Sequence, residues 1–187
     1  MRLSACLAAL LLASSLCTAQ DLKGDDIKVR VQRHGELIVV DVEANVAAPV
    51  REAWSVFTDY DNMSSFISNI KHSRILARDG NLLEVEQAGE TRVAFMRFGF
   101  IAVRAVELTP MQEIRSSLVS GDFKAYASTT RVSATPSGAT ISHHGEYVPK
   151  SWMPPIIGPA VIVSETRKQY QEFIAEIERR TAAAKRP

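Results

Sequence analysis

Over most of the chain, apolar and polar residues alternate with a period of two, the signature of strands with one buried face. "IKVRVQ" (27–32) and "ELIVVDVEANV" (36–46) flank "RHGE", where Gly35 can take a positive φ, so the pair reads as a β-hairpin. The period then changes. In "APVREAWSVFTDYDNMSSFISNI", Val50, Ala53, Trp54 and Phe57 share one helical face while Arg51, Glu52 and Ser55 face away. Pro49 is suited to the first residue of that helix, and Asp61 to the N-cap of a second short helix through Phe66.

Alternation returns in seven segments: 73–78, 81–87, 91–98, 101–108, 113–120, 123–132 and 139–148. The turn signals between them, "DGN", "TPM", "SGD" and "TPSG", are short, which predicts an antiparallel meander. No internal repeat of 20–50 residues is present. The final element is a helix from Pro159 to about residue 182, roughly 36 Å long at ~1.5 Å per residue. Ile162, Val163, Thr166, Tyr170, Phe173, Ile174 and Ile177 form its apolar stripe, opposite Ser164, Glu165, Lys168, Gln169, Glu172, Glu176 and Arg179. "SWMPPIIGPAVIVSE" (151–165) joins the last strand to it: Pro154 and Pro155 block helix and inner strand, and Pro159 starts the helix without losing a needed donor.

The first residues do not belong to this pattern. "MRLSACLAALLLASSLCTAQ" has a basic start, an apolar run and small residues at Thr18 and Ala19, the form of a secretory signal with cleavage after Ala19. Lipidation at Cys17 is the weaker alternative, because Leu16 stands where a small residue is expected. The expectation is a periplasmic or secreted protein divided into a signal peptide (1–19), a flexible leader (20–26), one domain (27–183) and a tail (184–187). Both cysteines, Cys6 and Cys17, fall in the signal, so the mature chain has no thiol for a disulfide, thiolate metal site or nucleophile. Arg2 is the only charged residue among the first 19, and the remainder balances 21 basic against 21 acidic residues. Such neutrality argues against a nucleic-acid partner.

Chemical motifs are few. There is no phosphate-cradling glycine loop, no G-x-S-x-G and no H-E-x-x-H, and no metal or cofactor is expected. His143 and His144 are adjacent in a strand and point to opposite faces, so they cannot share one ion. His143 faces inward if Ile141 and Tyr147 do. Arg97 alternates with Val93 and Phe95, and a register change that leaves it solvated is favoured over burial.

The order of strand, two short helices, antiparallel strands and long C-terminal helix resembles the α+β helix-grip fold, a curved sheet wrapped around the last helix. The stretch "AxxxAPVREAWSVFTDYDNMSSFISNIKHSRIL", with "SGDF", "GATIS" and "P…MPP", is similar to the START-like (SRPBCC) superfamily that includes polyketide cyclases and coenzyme Q-binding proteins. Its Ala-Pro pair, helical tryptophan and Asp-Tyr pair fall at Ala48, Pro49, Trp54, Asp59 and Tyr60. Thr130 stands where related chains often have tryptophan and Ser68 where they have proline; the first change bears on the pocket wall.

The resemblance implies a cavity between sheet and helix that takes an apolar small molecule. Its expected lining is Trp54 and Phe57 from the first helix, Phe95, Val103, Leu118 and Tyr126 from the strands, and Val163, Thr166, Tyr170 and Phe173 from the last helix. Trp152, Met153, Ile156 and Ile157 are a hydrophobic plug or, in the sharper reading, a gate that touches a membrane transiently. The first functional expectation is a monomeric, non-enzymatic carrier of a lipid, quinone or polyketide-like molecule. A cyclase or aromatase using His143, Tyr126 and Tyr170 for proton transfer is the alternative, and a protein-interaction module is a third.

Overall fold

The computed structural model describes residues 27–93, 96–150 and 158–186; residues 1–26, expected to be signal peptide and leader, lie outside them. Strands β1 (Ile27–His34) and β2 (Leu37–Val46) form the expected hairpin, with Gly35 at φ 63° in its turn. Helix α1 (Val50–Phe57) follows, with Pro49 at the N-cap in extended conformation, one position before the expected helical place. A 3₁₀ turn (Tyr60–Asn62) leads into the four-residue α2 (Met63–Phe66). Asp61 does not cap α2, whose N-cap is Asn62; its carboxylate instead accepts a 2.8 Å hydrogen bond from the Ile75 N–H, tying the turn to the next strand.

Six strands come next: β3 (Ile70–Asp79), β4 (Leu82–Val93), β5 (Met96–Thr109), β6 (Glu113–Gly121), β7 (Phe123–Thr135) and β8 (Gly138–Pro149). Segment 91–98 is therefore not a strand of its own. Arg92 pairs with Arg97 and Val93 with Met96, so the stretch folds back on itself and supplies the ends of β4 and β5. Its alternation is real, but it carries no Gly or Pro to mark the reversal.

All eight strands make one antiparallel sheet in the order β1-β2-β8-β7-β6-β5-β4-β3. Register shifts at Ile70/His72 and Ile75/Ala77 in β3, at Val103/Arg104 in β5 and at Phe123/Ala125 in β7 bend it. Helix α3 (Pro159–Ala184) packs against the inner side near β1 and β2 and against α1.

α3 has two different halves. From Tyr170 onward, Phe173, Ile174 and Ile177 are buried with Val42, Ala44 and Val46 of β2, Ala53 and Val56 of α1, and Ile141 of β8 in one apolar cluster. Its cohesion comes from removing apolar area from water, about 25 cal/mol per Å². None of residues 158–169 is buried to that degree. Glu176, expected on the wet side, is 8% exposed because Arg179 and Arg180 enclose its carboxylate at 2.7 Å each. Arg180 also bonds Asp59 at 2.7 Å and lies over the Phe66 ring, and Glu172 accepts from the Ser68 N–H at 2.9 Å. The C-terminal half is thus fixed to the α1–α2 turn by both apolar and charged contacts.

Candidate ligand-binding site

Between the first half of α3 and the sheet lies a cavity of about 370 Å³. Ile162, Thr166, Gln169, Tyr170 and Phe173 of α3 form one wall, and Phe57, Tyr60 and Met63 form the end nearest α1 and α2. The floor is made by inward side chains of seven strands, among them Ile38, Val40, Ile70, Gln87, Phe100, Ala102, Arg104, Ile114, Tyr126, Thr130, His143 and Tyr147. Strand alternation selects these residues: on β5, Ala102, Arg104 and Val106 are buried while Ile101 and Ala105 are exposed.

Two polar groupings interrupt the apolar floor. The first centres on Arg104, 9% exposed. Its Nη1 donates to Tyr126 Oη at 2.9 Å and its Nη2 to Gln87 Oε1; Gln87 Nε2 donates in turn to Ser73 Oγ at 3.0 Å. The guanidinium carbon lies 5.4 Å from the Tyr126 ring centre and 6.0 Å from that of Tyr60, within reach of cation–π attraction. No carboxylate among the described residues lies within ion-pair distance of Arg104.

The second grouping belongs to β7 and β8. His143 Nδ1 lies 2.9 Å from Thr130 Oγ1 and its Nε2 2.9 Å from Tyr147 Oη. One ring nitrogen donates and the other accepts, which fits a neutral imidazole. Burial, with help from the charges of His144 and Arg104, pulls the His143 pKa down from 6.5 to about 4. His144, one residue on, is exposed on the other face and pairs with Asp41 at 2.7 Å; that hydrogen bond raises its pKa. The inner-face neighbour between His143 and Tyr147 is Gly145, and a Cβ there would stand 2.0 Å from Tyr147 Oη. The tyrosine can fold over the strand towards His143 because position 145 has no side chain. The two groupings meet where Tyr126 packs edge-on against Tyr147, with ring centres 5.0 Å apart.

Phe57, Tyr126, Thr166, Tyr170 and Phe173 all line the cavity, and His143 faces it together with Tyr147. Phe57 stacks on Phe173 at 4.4 Å and marks the boundary between cavity and core. Trp54 is buried in the core cluster and does not line the cavity. Val103 is on the outer face of β5, because the register sets Arg104 opposite Val85 of β4, which is fully buried. Leu118 shares the inner face of β6 with Ile114 and Ser116 but lies half-buried beyond the cavity lining, and Val163 is displaced by Ile162 on α3. Phe95 and the plug residues Trp152, Met153, Ile156 and Ile157 lie outside the described residues. Arg97 is solvated, its side chain 61% exposed and 3.7 Å from Glu90.

Arg104 and Gln87 were not among the expected site residues, and Thr130 was expected only in the pocket wall, from the resemblance. Gln87 alternates with Leu83 and Val85, and Arg104 with Ala102 and Val106. Within 101–108, the segment read as a strand, each alternating set holds three apolar residues and one charged one, so the pattern there leaves the inward set to the register.

A bent antiparallel sheet that grips a long C-terminal helix over an apolar cavity defines the START-like class. The chain belongs to the family described as polyketide cyclase/dehydrase and lipid transport, whose sequence profile matches residues 46–175. Comparison with curated proteins gives no match. Among solved structures, the Zhui aromatase/cyclase from Streptomyces sp. R1128 is similar with a TM-score of 0.65 at 16% identity, covering 80% of this chain and 98% of that one. A STAR-related lipid transfer protein fragment from Xanthomonas axonopodis has a TM-score of 0.67 at 11% identity, over 82% and 94% of the two chains. Human STARD10 gives 0.61 at 13% identity, over 82% of this chain and 73% of that one. At these identities the likeness is one of fold.

Proposed function

We propose that this protein binds and carries an apolar small molecule, of lipid, quinone or polyketide-like kind, in the cavity under the first half of α3. The observation that carries this reading is the cavity itself. Its volume of about 370 Å³ falls in the range of sites that hold small organic molecules, roughly 300–1,000 Å³, and its lining is mainly aliphatic and aromatic, with polar side chains such as Arg104, Gln87 and His143 among them. The signal-like N-terminus supports action in the periplasm or outside the cell.

The test is native mass spectrometry of the purified mature protein, followed by thermal melts of the stripped protein with quinones and fatty acids. A co-purifying molecule is expected. Adding a ligand at a hundred times its Kd stabilises by about 2.7 kcal/mol, which raises the melting temperature of a domain this size by roughly 5–10 °C. A stripped protein that no apolar compound stabilises would end this reading.

One feature favours a second reading, a cyclase-type enzyme: His143 is neutral near pH 7, lines the cavity, and is held in place through both ring nitrogens. Such a group can exchange a proton with a substrate through the Tyr147 hydroxyl, which lines the cavity and bonds the His143 Nε2. In an enzyme, His143→Ala and Tyr170→Phe abolish turnover but preserve binding; in a carrier, neither changes any chemical conversion of the bound molecule.

A further inference from the structure

We propose that the molecule bound in this cavity is an amphipathic monocarboxylic acid whose carboxylate sits on Arg104. This deepens the binding reading and rests on it. Among the described residues that line the cavity, Arg104 is the only charged one; the rest are apolar or neutral polar, and His143 is held neutral. A guanidinium keeps its charge in any protein environment. Leaving such a charge buried without a counter-ion is costly.

The geometry leaves the fork open. Of five N–H donors, Arg104 uses one to Tyr126 Oη and one to Gln87 Oε1, while Nε has no acceptor among the described residues. Both partners are neutral oxygens, which orient the guanidinium and do not neutralise it. A carboxylate accepts two parallel N–H bonds from such a fork. The charge count then selects the head group: one positive unit matches one negative unit, whereas a phosphate monoester would carry a second, uncompensated one into the apolar cavity.

Tyr170 adds an independent observation. It is 5% exposed and lines the cavity, and its hydroxyl has no partner among the described residues. Its ring lies 6.2 Å from that of His143, which bonds Tyr147, which packs on Tyr126 beside Arg104. No buried side-chain oxygen among the described residues lacks a partner, so this hydroxyl opens onto the cavity, where a ligand oxygen can bond it.

The experiment compares acid with alcohol of matched body: decanoate against decanol, and naphthoate against naphthalenemethanol, on stripped protein by calorimetry at neutral pH. For at least one pair the acid is expected to bind at least about tenfold tighter. Arg104→Gln abolishes that preference while the alcohol still binds; Arg104→Lys keeps part of it. Near-UV circular dichroism reports whether each variant folds. Should Arg104→Gln not fold, the wild-type preference decides alone: it must vanish as pH falls through the carboxylic range of about 4–5. Equal affinities of acid and alcohol, or a preference that survives Arg104→Gln, overturn the head-group assignment and leave the binding site standing. Failure of all four compounds to bind overturns both.

Discussion

Gly145 shows how much one missing side chain controls. The Tyr147 ring occupies the space above it, with Oη 2.0 Å and Cζ 2.4 Å from where a Cβ would stand. In Gly145→Ala the tyrosine must leave, and the hydrogen bond to His143 leaves with it. We expect a loss of about 1–3 kcal/mol in urea unfolding, from displaced packing and an unpaired buried hydroxyl. Gly99→Ala is the control: its Cβ would meet nothing nearer than the Gly89 carbonyl at 3.8 Å, so stability should stay within about 0.5 kcal/mol of wild type. Equal losses in the two variants would refute the account of Tyr147. At this scale the sequence was least informative. Tyr126, Tyr170 and His143 could be nominated because alternation or helical spacing placed them on apolar faces. Arg104 could not be singled out, because within 101–108 the set it belongs to is no more apolar than the set containing Val103.

The long helix was the most legible element, since 26 residues at one period leave little ambiguity about its face. What spacing could not show was that charge would be drawn inside it. Glu176 stays buried only because Arg179 and Arg180 hold it, the hydrogen bond from Arg179 acting against burial to bring its pKa down from 4.5 to about 2. Arg180 alone also reaches across to Asp59, so Arg180→Ala should weaken the attachment of α3 to the α1–α2 turn. We expect roughly 2 kcal/mol of destabilisation, less than for a fully buried pair because Arg180 is 23% exposed. Hydrogen exchange should report faster opening of the last three turns of α3. Arg180→Lys restores only part, since an ammonium cannot hold two carboxylates through a rigid fork. Unchanged exchange in Arg180→Ala would show that apolar packing alone fixes the helix. The 91–98 segment was misread for the opposite reason: two strand ends in register keep the alternation of one strand.

For the whole molecule, the fold was readable because element order and period are properties of many residues at once, and single errors of register do not disturb them. The inner face of the sheet, which defines the cavity, depends on bulges that leave no mark in the pattern. Stability against acid is likewise a property of the whole. His143 titrates near 4 when folded against 6.5 in its ordinary state, and Glu176 near 2 against 4.5. Both folded values are lowered, so the unfolded chain binds the extra proton and each contribution is lost as pH falls. The stability profile should therefore decline in two stages, from about pH 6.5 to 4 through His143 and from about 4.5 to 2 through Glu176, each worth on the order of 3 kcal/mol at most. His144, raised by Asp41, acts in the opposite sense, but the pair is exposed and weak. Urea titrations across this range should lose the upper stage in His143→Gln and the lower in Glu176→Gln. A profile flat above pH 5 would contradict the burial of a neutral His143.

The unequal halves of α3 give the molecule a mechanical character. One end is clamped by Phe173, Ile174, Ile177 and the arginine pair, while residues 158–169 rest on the cavity with none fully buried. Local opening costs least where buried contacts are fewest. The helix is in this sense a cantilever, stiff at its root and compliant over the cavity. Hydrogen exchange is therefore expected to begin in residues 158–169 while the hydrophobic core keeps its shape.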